Sequence, residues 1–223
     1  MDMKNTLILL IDFEGEPELQ DQNYLNSRYV ALLNILQDRK IDREKCIIVF
    51  NTYNDISDTF HNIDNEWKKI DNPQLRKLVK YAWLEKWSVY NMVKETNAGY
   101  IDIDIETFIK AMKEKRPEFD IEPNKTNIII GGTETAGCIL SNKKLGALNW
   151  SKRSYNTSIY LPLCAEVSAL GNTWYEKQQG AFANFWSEIQ NHDPKDYKLL
   201  NILSDFTQIR EQLPFSDVKI KPL

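Results

Sequence analysis

Three residue types that take part in nucleophilic catalysis occur at the ends of three separate apolar runs. Asp12 follows the first apolar run of the chain, Lys94 follows a later one, and Cys138 lies just past two glycines that end another. In a parallel sheet the carboxyl ends of the strands share one edge, so these side chains would lie near one another. An acid that accepts the thiol proton and a cation that favours the thiolate would make Cys138 a nucleophile.

The sequence around Cys138 suits a reactive cysteine. Ile128–Ile130 predicts a buried strand, and Gly131 and Gly132 predict a tight turn after it. Residues 136–149 predict a helix, so Cys138 falls in or near its first turn. There the free backbone N–H groups and the helix dipole stabilise a thiolate and would hold the oxygen of a carbonyl under attack. The alternative is that Cys138 packs as a small hydrophobe, the usual outcome for a lone cysteine.

Asp12 and Lys94 each have an ordinary explanation as well. An aspartate after a strand caps a turn or accepts hydrogen bonds from loop amides, and its position alone supports both interpretations equally. A lysine after a strand is usually a solvated surface residue. Catalysis is therefore indicated by the three residues taken together and by none of them alone.

The order of predicted elements indicates one α/β domain over residues 1–223, with a loosely held tail at 214–223. Apolar strands alternate with amphipathic helices, a pattern typical of a doubly wound, mostly parallel six-stranded sheet with helices on both faces. Strands are predicted at 6–11, 45–50, 88–93, 126–130, 158–161 and 198–203. Helices are predicted at 23–39, 74–87, 107–115, 136–149, 172–190 and 206–213.

Composition favours a cytoplasmic protein that binds neither nucleic acid nor membrane. The 223 residues are 42% hydrophobic and carry a net charge of −4, with no basic stripe that would favour nucleic acid. Cys46, Cys138 and Cys164 are widely spaced and odd in number, which indicates reduced thiols, with Cys46 and Cys164 in the core. The first residues lack a signal peptide's features, and no apolar run approaches the roughly 20 residues of a membrane span.

Residues 51–72 predict a long polar loop after the second strand. Asp55, Asp58 and His61 in this loop are types that bind metals, but the other histidine, His192, is far away in sequence. A metal site needs several clustered ligands, so a solvated loop is the favoured interpretation. We expect neither a metal nor a cofactor.

The chain resembles the isochorismatase-like cysteine hydrolases, the superfamily that includes nicotinamidases and N-carbamoyl amidohydrolases. The matching segments are Ile11–Phe13, Lys94–Tyr100 and the cysteine segment, in which Gly132, Thr135 and Cys138 keep the family's spacing. The resemblance covers most of the chain, and the order of the three segments is that of the family.

The resemblance implies a three-layer α/β/α fold and an Asp-Lys-Cys triad that cleaves a C–N bond of a small amide or carbamoyl compound. Asp12 would be the base, Lys94 the electrostatic partner and Cys138 the nucleophile that forms a thioester. Backbone N–H groups beside a cis peptide, here between Thr133 and Glu134, would hold the oxyanion. Family members often form homodimers or homotetramers.

Three aromatic residues are candidates for the substrate pocket. Phe13 follows the predicted base, Tyr100 follows the lysine segment, and Trp87 precedes the third strand. Each of them could instead be a core residue, because large aromatic side chains are mostly buried.

Departures from the family's pattern leave two other functions open. Glu14 and Gly15 stand where the family commonly has Gln and Asn, and Glu134 stands where a small apolar residue is usual. An acid beside an oxyanion hole disfavours a second negative charge unless its side chain points away. The chain could therefore be a degenerate member that binds a small molecule or a protein without turnover. Ether hydrolysis of the isochorismatase type, which does not use the thiol, is the third hypothesis, and the retained Cys138 favours amide chemistry over it.

Overall fold

The computed structural model describes residues 5–13, 22–38, 41–51, 66–92, 95–96, 99–100, 103–133, 135–142, 144–165 and 187–203. Within these ranges the strands are β1 (Asn5–Ile11), β2 (Cys46–Asn51), β3 (Ser88–Asn91), β4 (Glu95–Thr96), β5 (Gly99–Tyr100), β6 (Thr126–Thr133), β7 (Asn156–Ala165) and β8 (Leu200–Leu203). The α-helices are α1 (Gln22–Gln37), α2 (Pro73–Leu84), α3 (Ile105–Lys115) and α4 (Ala147–Lys152). A π-helix covers Thr135–Asn142, and short 3₁₀ turns cover Arg43–Lys45 and Glu66–Lys69.

Six of the described strands form one sheet in the order β3-β2-β1-β6-β7-β8, and every neighbouring pair is parallel. This confirms the predicted α/β class, with a sheet that is parallel throughout where a mostly parallel one was expected. The chain runs outward from β1 through β2 to β3, then returns to β6 on the other side of β1 and runs outward through β7 to β8. The strand order therefore reverses between β1 and β6.

Two apolar layers cover the two faces of the sheet. Successive side chains of β1 alternate between them, since a strand turns its residues to opposite faces in turn. Ile8 and Leu10 join a buried cluster with residues of α1 and α2. Leu7 and Leu9 join a second cluster with residues of α3 and α4. Burial on both faces explains why the strand sequences are almost continuously apolar.

The second and third helices begin at side-chain caps that the sequence contains. Asn72 precedes Pro73, and its side chain accepts hydrogen bonds from the N–H groups of Gln74 and Leu75. Asp104 accepts a hydrogen bond from the N–H of Thr107. Asparagine and aspartate are favoured at this position because they satisfy N–H groups that the helix itself leaves unpaired.

The single helix predicted at 136–149 is wrong, since two separate helical segments occupy this region. The π-helix ends at Asn142, and α4 begins only after Gly146, whose backbone is extended at φ −64° and ψ 157°. Burial of Leu145 and Trp150 holds the second segment in place, and the Trp150 Nε1 donates to the Leu145 carbonyl at 3.0 Å. Tertiary packing thus interrupts a run that is apolar enough to continue.

Strand β7 is longer than predicted and includes Cys164, which was expected to follow the strand. The β6–β7 register shifts between Ile130 and Gly132, and Pro162 lies in the corresponding stretch of β7. Proline has no N–H to donate to the ladder, so it is tolerated at such an irregularity. Pairing resumes beyond it, with Gly132 opposite Cys164.

Several predicted elements lie outside the described residues. These are most of the loop at 51–72, most of the helix predicted at 172–190, the helix predicted at 206–213 and the tail at 214–223. Among the residues that the structure does describe, no helix has the length and apolar character needed to cross a membrane.

Candidate functional site

Asp12 stands at the point where the strand order reverses. It follows β1, and Ile11 before it is in register with Asn51 of β2 and Gly132 of β6. The Asp12 N–H donates to the Asn51 carbonyl at 2.8 Å, and its φ is +46°. A left-handed backbone is uncommon for residues other than glycine, although aspartate tolerates it better than most. The chain therefore turns sharply away from the sheet at Asp12, which is half-buried.

The two glycines before the cysteine segment belong to β6, so the predicted tight turn after the strand is wrong. A Cβ on Gly131 would come within 2.4 Å of the Leu163 Cβ in β7. A Cβ on Gly132 would come within 1.7 Å of the Ile11 carbonyl oxygen, and φ at Gly132 is +145°. Each glycine lets a neighbouring strand approach where a side chain would stand. The second one brings β6 close to β1 directly beside Asp12.

Cys138 lies in the π-helix that follows β6. It is half-buried and packs against the apolar layer that contains Ile139 and Leu140. Cys138 is the fourth residue of this helix, near its amino end, where backbone N–H groups have no partner within the helix. Such an end favours a negative charge, and π-helical segments are rare and occur frequently at functional sites. The sequence predicted a helix here but not its π form.

Arg28 of α1 is a residue of this edge that the sequence interpretation missed. It is 1% exposed, and its Nη1 donates to the Thr133 Oγ1 at 3.2 Å. Its guanidinium carbon lies 5.0 Å from the centre of the Phe13 ring. A signal was present in the sequence, because Arg28 lies three residues after Leu25 and four before Leu32, on the predicted apolar face of the helix. A charged residue on that face is unusual unless it is paired.

Thr133, Phe13 and Arg28 thus meet where β1 and β6 end. Thr133 is the last residue of β6 and is buried. Phe13 is fully buried, with its ring centre 5.8 Å from that of Phe50 and 6.1 Å from that of Tyr29. Phe13 was predicted to line the substrate pocket or to pack in the core, and it is part of the core beneath the edge, where it contacts the arginine.

Trp87 was a candidate for the substrate pocket or for the core, and the structure places it in the core, away from this edge. It precedes β3 at the amino ends of the strands, and it is 8% exposed. There it lines a cavity of about 430 Å³ together with Ile41 and Tyr81. The parallel register fixes this outcome, because a residue before a strand and a residue after one lie at opposite edges.

The structure does not describe the side chains of three other predicted site residues. Lys94 and Glu134 lie outside the described residues, and only the strand backbone of Tyr100 is described. The cis peptide between Thr133 and Glu134 therefore stays a prediction. The β3 strand ends at Asn91, and the N–H of Met92 donates to the Phe50 carbonyl at 2.9 Å, so Met92, the last described residue before Lys94, lies at the same edge as Asp12.

The other two cysteines are structural. Cys46 is fully buried at the start of β2, and burial raises the pKa of its thiol to about 12, with a partly opposing effect of the Arg116 charge. Cys164 is 1% exposed, and its Sγ donates to the Tyr160 carbonyl at 3.2 Å. Both were predicted to pack in the core, and both do. A protonated, buried thiol is not a nucleophile.

Within the described ranges, no group of three or more His, Cys, Asp and Glu side chains could hold a metal ion. The loop residues considered as metal ligands, Asp55, Asp58 and His61, lie outside those ranges.

Comparison with known proteins adds one distant likeness. No family model matches the sequence, and no curated protein matches it. The chain is similar to a solved structure described as the MAR1 ribonuclease from Caenorhabditis elegans, at 12% sequence identity over 100% of this chain and 97% of that one. The TM-score is 0.35, and a likeness at this level carries no argument about activity.

Proposed function

We propose that the chain is a cysteine hydrolase that cleaves the C–N bond of a small amide or carbamoyl compound through a thioester on Cys138. The main support is the topology, since Asp12 follows β1, the Cys138 helix follows β6, and the strand order reverses between these two strands. Open α/β sheets bind their ligands at such a reversal, outside the carboxyl ends of the strands. The resemblance of the sequence to isochorismatase-like hydrolases supplies the roles.

In the first half of the proposed reaction, the Asp12 carboxylate accepts the proton of the Cys138 thiol, and the thiolate attacks the carbonyl carbon. The Lys94 ammonium favours the charged state. Backbone N–H groups of the segment from Thr133 to the start of the π-helix hold the oxyanion. The C–N bond then breaks, and the Asp12 carboxylic acid gives its proton to the leaving amine, which leaves an acyl group on sulfur.

In the second half, water gives a proton to Asp12, and the resulting hydroxide attacks the thioester carbon. The C–S bond breaks, the acid product leaves, and the Asp12 proton returns to the Cys138 thiolate. The same carboxyl group therefore acts first as a base and then as an acid in each half, which requires that it lie close to the sulfur.

The test is a panel of small amides, carbamoyl compounds and hydroxamates with the wild-type chain, Cys138→Ala and Cys46→Ala. Amine or ammonia release is followed, and intact mass detects an acyl adduct. Cys46→Ala is the matched control because the same substitution falls on a buried thiol at the opposite edge of the sheet. We expect turnover and adduct in the wild type and the control, and a loss of at least about a thousandfold in Cys138→Ala.

Two results would contradict the proposal. Turnover that survives in Cys138→Ala would exclude the thioester and favour hydrolysis of the ether type. Silence across the panel, with Cys138 alkylated no faster than a model thiol, would favour a protein that binds its ligand without turnover.

A further inference from the structure

Arg28 is a buried cation at the edge where Asp12 and the cysteine segment begin. Its side chain reaches from α1 across the end of β1, over the Phe13 ring, to the Thr133 hydroxyl at the end of β6. Thr133 stands two residues before the π-helix that carries Cys138. Arg28 therefore connects the segment that carries the predicted base with the segment that carries the predicted nucleophile.

Burial of a guanidinium is costly, and the charge cannot be removed by deprotonation. The pKa of arginine is so high that the group stays charged in proteins, and transfer of an ion from water to the interior costs several kcal/mol. The rest of the α1 face that holds Arg28 is apolar, with Leu25, Tyr29 and Leu32 all buried. An apolar residue of similar length would fill this place at less cost, so stability alone does not account for an arginine here.

We propose that Arg28 is a positioning residue for Cys138, an inference that rests on the proposed function. The planar guanidinium lies over Phe13, which fixes its orientation, and its N–H holds the Thr133 hydroxyl and with it the end of β6. The π-helix then starts at a fixed place relative to Asp12. The fixed positive charge also favours negative charge at this edge, and its effect extends further in the interior than in water.

This role makes a prediction that a merely structural role does not share. A substitution that only destabilises the fold opens the edge more often and speeds alkylation of Cys138. Loss of positioning and of the charge leaves the fold closed, reduces the thiolate fraction and slows alkylation. The direction of the change in rate therefore separates the two roles.

The experiment measures alkylation of Cys138 by iodoacetamide, located by intact mass and peptide mapping, in wild type, Arg28→Met, Arg28→Lys, Thr133→Val and the Arg28→Met/Thr133→Val double variant. The ultraviolet absorbance of the thiolate, taken as the difference from Cys138→Ala, reports the thiolate fraction independently. Urea unfolding of each variant gives its stability. Methionine keeps most of the side-chain length without the charge, and lysine restores the charge without the planar fork.

We expect Arg28→Met to slow alkylation about tenfold and to lower the thiolate absorbance, since a charge-assisted hydrogen bond shifts an equilibrium by roughly that factor. Arg28→Lys should recover part of the rate. The double variant should be no slower than the slower single variant, because both changes remove the same contact. If Arg28→Met does not fold, Arg28→Lys and Thr133→Val still test the contact, and both should be slowed.

Unchanged or faster alkylation in the folded Arg28 variants would overturn the positioning role. The role would also be overturned if the effects of Arg28→Met and Thr133→Val on the alkylation rate added in full in the double variant. A wild-type Cys138 that reacts no faster than a model thiol would count against the proposed function, and the role of Arg28 would fall with it. A fast wild-type thiol that the Arg28 variants leave unchanged would overturn the role of Arg28 alone.

Discussion

Two neighbouring residues at the carboxyl edge take backbone conformations that most side chains avoid. Gly132 of β6 has a φ of +145° and is in register with Ile11 of β1. Asp12, the residue after Ile11, has a φ of +46°. Together they let β6 come close to β1 while the chain turns away after Ile11. Strained or sparsely populated backbone persists only where the surroundings hold it, and such places cluster at functional sites.

Gly132→Ala should be among the most damaging single changes in the chain. The added Cβ would collide with the Ile11 carbonyl oxygen at 1.7 Å, and alanine rarely adopts the backbone that Gly132 has. We expect no folded protein or a loss of more than about 4 kcal/mol in the free energy of unfolding, measured by urea titration. Gly131→Ala meets the Leu163 Cβ at 2.4 Å without an unusual φ, so it should cost less. Equal stability of Gly132→Ala and wild type would contradict this account of the edge.

The Cys46 thiol makes folding stability depend on pH in the alkaline range. Burial raises its pKa from 9.0 to about 12, so the folded state keeps the proton after the unfolded state has lost it. Stability from this group is complete below pH 9 and falls as the pH rises towards about 12, with a slope of about 1.4 kcal/mol per pH unit. Urea titrations at increasing pH should show wild type losing stability faster than Cys46→Ala. Parallel pH profiles for the two proteins would contradict the raised pKa.

The residues of the candidate site were predicted to very different degrees. Asp12 and Cys138 could be assigned to one edge because apolar runs and glycines mark strand ends, and parallel strands share their carboxyl edge. Arg28 could not, because its contacts with Phe13 and Thr133 join residues that are far apart in sequence. For Trp87 the sequence left a pocket position and a core position open, and the parallel register places it in the core at the amino edge because it precedes its strand.

Among the secondary-structure elements, the segment after β6 is the one whose helix type and bounds the sequence pattern did not predict. The run from Thr135 to Trp150 is apolar enough for one α-helix, yet a π-helix and α4 occupy it, with Gly146 at the start of α4. The α and π forms place apolar residues at similar spacings, so periodicity does not separate them. Ile139 and Leu140 are buried in one cluster with residues of strands far away in sequence, and such packing is not visible in the local sequence pattern.

The start of α3 should respond to acid through a single side chain. Hydrogen bonds from Thr107 hold the pKa of the Asp104 carboxyl below its usual value of 3.8, so the charged form is favoured in the folded state. The stabilisation is present above that pH and is lost as the pH falls below it. Asp104→Ala should lower stability at neutral pH and weaken its dependence on acid pH, whereas Asp104→Asn, which also caps helices, should keep most of the stability. Thermal unfolding at neutral and acid pH measures both effects, and an Asp104→Ala variant as stable as wild type would contradict them.

In the molecule as a whole, the two edges of the sheet have different contents. The carboxyl edge holds Asp12, Arg28 and the Cys138 helix, whereas the described part of the amino edge holds the buried Cys46 thiol and two hydrogen-bond networks. One is a ladder of asparagines, in which the Asn156 Nδ2 donates to the Asn127 Oδ1 at 2.8 Å and the Asn201 Nδ2 donates to the Asn156 Oδ1 at 3.3 Å. Alternation of strands and helices predicted the fold class, but the strand order depends on which face each helix covers, which only long-range packing decides.

Arg116 is the centre of the second hydrogen-bond network at the amino edge. Its substitution tests whether the two edges of the sheet act independently. Its side chain is 9% exposed and donates to the Ser88 Oγ at 2.5 Å, the Glu44 carbonyl at 2.8 Å and the Glu118 Oε1 at 2.7 Å. It thereby joins the chain after α3 to the starts of β2 and β3. Arg116→Met leaves these partners unsatisfied and should lower the free energy of unfolding by about 3 kcal/mol in a urea titration.

The comparison variant is Glu118→Gln, which removes only the exposed end of the network and should lower the free energy of unfolding far less than Arg116→Met does. Because the whole Arg116 network lies at the amino edge, the native-state alkylation rate of Cys138 should stay unchanged in Arg116→Met at low denaturant. Arg28→Met should show the converse, with a slower thiol at the carboxyl edge. If Arg116→Met slowed the alkylation of Cys138 as much as Arg28→Met does, the two edges would be coupled through the sheet. The idea that the amino edge contributes to stability and the carboxyl edge to reactivity would then be wrong.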